Sequence, residues 1–226
     1  YENSINGYLE LIKFVDDNFG TKSNLKLELL NNLGFSYGAL KDYDNALKYY
    51  LLSEELAELY KSKRNLLTNK MNIGDVYFWR GKIKKSNDYY KEAFKYKEYS
   101  PKQTQIFLYA NLSKTEAFLG NYERALFYGN EGLKISENFH GINHPSNLQI
   151  LDSLALANSS SGNTEEKFKN LIAIYNIIND YSKGYLKDNF NADPNEYFQQ
   201  IYSFLYTASD RKNNDDEDIK FKNYFE

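Results

Sequence analysis

The chain has 226 residues, with 28 Lys and Arg against 31 Asp and Glu. The net charge of -3 and a pI near 5.6 leave no overall positive field to draw in phosphate backbones, so nucleic acid is not an expected partner. Hydrophobic residues at 42% and charged ones at 26% are ordinary globular proportions, and the absence of Cys excludes disulfides, thiolate metal sites and a Cys nucleophile from these residues while fitting a reducing, cytoplasmic setting.

Residues 1–20 carry Ile5, Tyr8, Leu11, Ile12 and Val15 at helical spacing and end in Asn18, Phe19 and Gly20. This predicts one amphipathic helix. Residues 122–141 align loosely with it, so it reads as the second helix of a pair whose first helix precedes Tyr1, and the chain reads as a fragment of a larger protein. No run of 18 apolar residues and no basic segment followed by an apolar one occurs, so neither a membrane span nor a signal peptide is expected.

Between 27 and 182 a pattern of small and large residues recurs four times, beginning near Leu27, Leu67, Ile106 and Leu148. The first copy holds Leu30, Leu33, Gly34 and Tyr37, then Ala46 and Tyr50. The second holds Ile73, Gly74 and Tyr77, a turn at Gly81, then Ser86, Tyr90 and Ala93. In the third, Tyr109, Leu112, Ser113, Gly120 and Ala125 keep the spacing, but Glu116 stands where an aromatic is usual, as Tyr37 and Tyr77 are in the first two. The fourth has Leu151, Leu154, Ala155, Gly162, Leu171 and Ile174, with Lys167 in a small-residue position. Two antiparallel helices approach closely where one offers a small residue and a large neighbour fills the remaining space. Each copy is therefore expected to be a helix pair, the third packed more loosely because of Glu116.

This pattern resembles the tetratricopeptide repeat, in which W-x2-L-G-x2-Y is followed by A-x3-F. The resemblance implies an all-α, right-handed superhelical solenoid of antiparallel helix pairs. Starts spaced by 40, 39 and 42 residues exceed the usual 34 or so, which predicts about two extra helical turns or longer connections per repeat. Gly141, His144 and Pro145 form a G-x-x-H-P connection similar to that of the long-repeat families, those of kinesin light chains and of bacterial proteins that append a caspase-like CHAT peptidase. Further on, Asp193 and Pro194 begin a helix over 193–208 whose stripe of Tyr197, Ile201, Phe204, Leu205 and Ala208 would cap the last repeat. Residues 209–226 read as an acidic linker and a truncated element.

The first helices of successive pairs line the concave face of such a solenoid. Just before the second leucine-type anchor stand Asn32, Asn72 and Asn111, with Ser153 in the fourth copy. A carboxamide both donates and accepts, so it can grip the backbone of an extended ligand without reading its side chains. Three and seven residues on, the stripes continue as Phe35 and Ala39, Asp75 and Trp79, Lys114 and Phe118, and Leu156 and Ser160. Lys114 is the one cation among them and is expected to face Asp75. In peptide-binding members of the family an Asn row contacts ligand backbone, and the resemblance implies that role for Asn32, Asn72 and Asn111. Amides that only bridge neighbouring helices, or a coincidence of Asn-rich composition, would give the same pattern. The expected peptide-binding set is Asn32, Asn72, Asn111, Phe35, Asp75, Trp79, Lys114 and Phe118.

Catalytic and metal chemistry find no matching pattern. His140 and His144 are four apart, but Gly141 and Pro145 put them in a turn, where they would cap or pack the connection. Asp215, Asp216, Glu217 and Asp218 lack the alternation and Gly of a calcium loop, and no phosphate-binding glycine loop or G-x-S-x-G elbow occurs. The expectation is a non-enzymatic scaffold without cofactor or metal that binds a protein or peptide segment. Two other readings stay open: a peptide-sensing regulatory domain, and the regulatory arm of a CHAT-type peptidase whose catalytic domain, a missing domain of the same parent chain, would lie past Glu226.

Overall fold

The computed structural model describes residues 1–184; the helix expected at 193–208 and the linker expected at 209–226 lie outside the described residues. Nine α-helices are present there: α1 (Glu2–Phe19), α2 (Leu25–Ala39), α3 (Tyr43–Leu59), α4 (Lys63–Trp79), α5 (Ile83–Phe94), α6 (Lys102–Phe118), α7 (Tyr122–His140), α8 (Leu148–Ser161) and α9 (Thr164–Gly184). Short 3-10 turns at Lys97–Tyr99 and Pro145–Asn147 lead into α6 and α8. Among the described residues there is no strand, and no helix is long and apolar enough to cross a membrane.

The helices pack as α2 on α3, α4 on α5, α6 on α7 and α8 on α9, and each second helix also packs on the first helix of the next pair. This is the all-α, right-handed solenoid of antiparallel pairs. Its core runs the length of the stack. Leu33, Leu67, Ile73, Leu112 and Ile150 are fully buried, each contributing about 2 kcal/mol of apolar transfer. At the leading end, Ile5 and Val15 of α1 are buried and Ile12 packs against Leu27 and Leu30 of α2 and their neighbours, whereas Leu11, Phe14 and Phe19 are exposed.

Closeness within the pairs comes from the small residues. A β-carbon on Gly34 would lie 2.8 Å from the Tyr50 ring, and one on Gly74 would lie 2.6 Å from Tyr90. The third pair inverts the arrangement. Ser113 takes the glycine position and Gly129 the tyrosine position, and Leu154 of α8 fills the gap, 2.5 Å from where a Gly129 β-carbon would stand.

The looser packing expected of the third pair is not found. Glu116 is fully buried, and Gly132 brings α7 so near α6 that a β-carbon there would lie 2.7 Å from Cβ of Tyr109. The carboxylate is tolerated because it is neutralised. Lys91 of α5 places Nζ 2.6 Å from Oε1, and Asn121 donates Nδ2 to Oε2 at 2.7 Å. Burial pushes the Glu116 carboxyl upward, but hydrogen bonds from Lys91, Asn87 and Asn121 outweigh it and hold the group below its ordinary value. An ion pair between successive pairs thus replaces the stacked tyrosines of the earlier units, Tyr37 on Tyr49 and Tyr77 on Tyr89, each with centroids 5.4 Å apart.

The turn inside each pair has one shape. Lys41, Gly81, Gly120 and Gly162 occupy corresponding positions seven residues after Gly34, Gly74, Ser113 and Ala155, and all four have positive φ, from 61° to 80°. Glycine suits three of them; Lys41 adopts the same left-handed conformation with a side chain.

Candidate functional site

Exposed aromatic residues mark the first helices. Phe35 on α2, Trp79 on α4 and Phe118 on α6 are 58%, 69% and 53% exposed. Phe78, beside Trp79 in sequence, joins this row: its centroid is 5.7 Å from Trp79 and 5.9 Å from Phe118. Phe78, Trp79 and Phe118 thus form one apolar cluster open to water, while the Phe35 ring meets Tyr1, with centroids 6.4 Å apart.

The carboxamides beneath are engaged with one another. Asn72 donates Nδ2 to Oδ1 of Asn31 at 3.3 Å, and Asn31 donates to Oδ1 of Asn69 at 2.5 Å. Asn69, fully buried, donates to Oγ of Ser53 at 3.0 Å, and Ser53 donates to the Leu27 carbonyl at 2.9 Å. These bonds join α4, α2 and α3. Further along, Asn111 donates Nδ2 to Oδ1 of Asp75 at 3.2 Å and accepts from Nε2 of Gln149 at 2.9 Å, joining α6 to α4 and α8. Ser153 is buried and donates to the Ala110 carbonyl at 3.3 Å.

The sequence-derived row therefore divides. Asn72 and Asn111 bridge neighbouring helices, and Ser153 is internal. Each amide still keeps bonding capacity, since a carboxamide has two N–H groups and two lone pairs and only one or two are used here. Asn32 is exposed, and the bond recorded to it is on its backbone carbonyl, from Oγ of Ser36. Ala39 and Ser160 are exposed as well, and Leu156 is half-buried.

Asp75 sits between these groups. Its Oδ1 accepts both the Tyr90 hydroxyl, at 2.5 Å, and the Asn111 amide. Burial lifts its carboxyl to about 6, against an opposing pull from the Tyr90 hydrogen bond. The Tyr90 and Tyr50 hydroxyls are in turn pushed upward by burial and by the Asp75 charge. Lys114, expected to face Asp75, instead pairs with Asp152 of α8 at 3.7 Å and lies over the Phe78 ring at 5.5 Å. Its ammonium thus lies between Asp152 of the following pair and the Phe78 ring of the preceding one, and pairs with the former and not with Asp75.

Phe78, Asn31, Asn69, Tyr90, Gln149 and Asp152 were not singled out from the sequence. The signal was present for two of them. Asn69 falls between Leu67 and Met71 on the buried side of α4, and a polar residue there calls for an internal partner. Tyr90, recognised as a packing residue, also carries a hydroxyl that must end on something.

At the connection between α7 and α8, the rings of His140 and His144 stack with centroids 4.2 Å apart. His140 Nε2 meets Oε1 of Gln103 at 2.5 Å, and His144 Nδ1 accepts the Ser146 amide N–H at 3.1 Å, capping the turn at Pro145. Burial, and then the neighbouring His140, push the His144 pKa down. Among the described residues no three His, Cys, Asp or Glu side chains converge as a metal site.

Comparison with known proteins agrees with this architecture. The family model of the tetratricopeptide repeat matches residues 25–99, which cover α2 to α5. Among solved structures, the nearly identical TPR-like repeats of a Podosopora anserina protein described as a kinesin light chain superpose with a TM-score of 0.65 at 12% identity, over 81% of this chain and 89% of that one. BtubC (BKLC) from P. vanneervenii gives 0.67 at 15% identity, over 92% and 81%. YrrB, described as a TPR protein with an unusual peptide-binding site, gives 0.54 at 16% identity, over 93% and 96%. No curated protein matches the chain. Residues 25–99 thus match the tetratricopeptide repeat, and the chain has the fold of these repeat proteins.

Proposed function

We propose that this tetratricopeptide-repeat solenoid is an interaction scaffold that holds an extended peptide or protein segment against its first helices. The observation that carries the reading is the row of Phe35, Trp79 and Phe118, more than half exposed on three successive first helices. Exposed aromatic side chains on successive first helices give a segment apolar anchor points, and the amides beside them supply polar ones. The expected contacts are Phe35, Trp79 and Phe118 through their rings, Asn32, Asn72 and Asn111 through remaining carboxamide groups, and Asp75 and Lys114 through charge. The peptide-binding site named for YrrB, a protein of the same fold, is consistent with this use.

Panning a random dodecapeptide library on the full chain, and then on the Trp79→Ala, Phe118→Ala double variant, tests the reading. Peptides selected on the wild type should bind the variant at least tenfold more weakly while its far-ultraviolet circular dichroism stays the same. Equal binding by both proteins would remove the aromatic row from the site, and a failure to enrich any peptide would refute the groove.

A further inference from the structure

We infer that the groove selects a segment carrying a basic side chain, Lys or Arg, whose cation sits on the Asp75 carboxylate between α4 and α6. This rests on the reading that an extended segment lies along the first helices, and adds the chemistry of the residue it presents there.

Three observations converge on it. Both hydrogen bonds that Asp75 accepts, from Tyr90 and from Asn111, end on Oδ1, so Oδ2 has no hydrogen-bonding partner among the described residues. Among the described residues no cation pairs with this carboxylate either. The nearest candidate on the same face, Lys114, is turned to Asp152 and Phe78. The remaining groups around Asp75 are the hydroxyls of Tyr50 on α3 and Tyr90 on α5 and the Asn111 amide on α6, none of them positively charged. A largely desolvated carboxylate without a counter-charge is costly to keep ionised, and a cation arriving from a ligand removes that cost.

The surroundings suit a long basic side chain in particular. Trp79 follows Asp75 by four residues on α4, so both lie on one face of that helix one turn apart. Its indole, with Phe78 and Phe118 close by, offers an aromatic wall for the methylene stem of Lys or the guanidinium plane of Arg. An acidic ligand side chain would meet the Asp75 charge, and a purely apolar one would leave Oδ2 desolvated and unbonded. Charge complementarity therefore favours one class of occupant.

Trp79 is the single Trp of the chain, which makes its emission a direct reporter of the site. Pentapeptide pools blocked at both ends, with the central residue fixed as Lys, Arg, norleucine or Glu, are titrated into the full chain at pH 7.5. The Lys and Arg pools should bind at least tenfold more tightly than the norleucine pool, with the Glu pool weakest. In Asp75→Asn the four pools should fall within about twofold of each other while the circular dichroism is unchanged. If Lys and norleucine pools bind the wild type equally, the assignment of a basic side chain fails and the groove stands. A preference for Lys that persists in Asp75→Asn also overturns it. If no pool binds, the groove reading fails and takes this inference with it.

Discussion

Tyr90 fills the space in front of Gly74 so completely that a β-carbon on Gly74 would come within 2.6 Å of Cε1, while the Tyr90 hydroxyl reaches Oδ1 of Asp75. One side chain thus closes a helix pair and holds the Asp75 carboxylate. Gly74→Ala should lower stability by about 1 to 2 kcal/mol in chemical denaturation, because ring overlap outweighs the gain in helix propensity. Gly7→Ala, in α1 with nothing within 4 Å of the added carbon, should raise it by about 0.5 to 1 kcal/mol. Equal effects of the two substitutions would show that the ring moves aside.

Asp75→Asn should stabilise the protein at neutral pH and do nothing near pH 4. The folded carboxyl is raised from 3.8 to about 6, so the folded state holds its proton more tightly than the unfolded chain. The stability associated with the protonated form is fully present below about 4 and is lost as the pH rises through 6. Asn keeps an oxygen for Tyr90 and Asn111 without the charge. A gain on the order of 2 kcal/mol at pH 7.5, measured by urea unfolding across this range, is expected. A gain of the same size at pH 4 would contradict it.

Asn111→Ala removes a donor to Asp75 and an acceptor for Gln149 and should cost about 1 to 3 kcal/mol. Asn32→Ala, at an exposed side chain, should change stability by less than about 0.5 kcal/mol. Thermal melts of the two variants compare a bridging amide directly with an exposed one.

Lys91→Met strands the buried Glu116 carboxylate and should destabilise by about 3 kcal/mol at neutral pH. Adding Glu116→Gln should restore most of the loss, since a neutral amide needs no counter-charge. A double variant as unstable as the single one would mean that Lys91 acts through packing.

Lys41→Gly should gain roughly 0.5 to 1 kcal/mol, because Lys41 alone among the four corresponding turn positions carries a side chain at positive φ. Denaturant midpoints suffice to test this.

The helix pairs were legible in the sequence because small and large residues at fixed offsets, Gly34 with Tyr50 and Gly74 with Tyr90, permit only one close approach. The polar interior was less legible. Asn31 and Asn32 differ by one position, about 100° around a helix, and only the position of the neighbouring helix decides that Asn31 faces Asn69 and Asn72 while Asn32 faces water. Lys114 could reach forward or back, and only the presence of Asp152 on the neighbouring α8, outside its own repeat, decides the pairing. Glu116 read as a defect because its partners Lys91 and Asn87 belong to the preceding pair, a relation that spacing within one repeat does not contain. The aromatic row was half seen: Trp79 drew notice and Phe78 did not, although the two rings meet.

The bonds from Asn31 to Asn69, from Asn69 to Ser53 and from Ser53 to the Leu27 carbonyl begin on α2, pass through α4 and α3, and return to α2 one turn from where they started. Each of the three helices gives once and receives once, so the circuit has a direction. A divide between the first and second repeats would sever this circuit. Two of its three bonds cross from the first pair to α4, so the boundary drawn by the repeat pattern is bridged by the polar interior, and a chain cut there would leave Asn69 and Ser53 without the partners they have here.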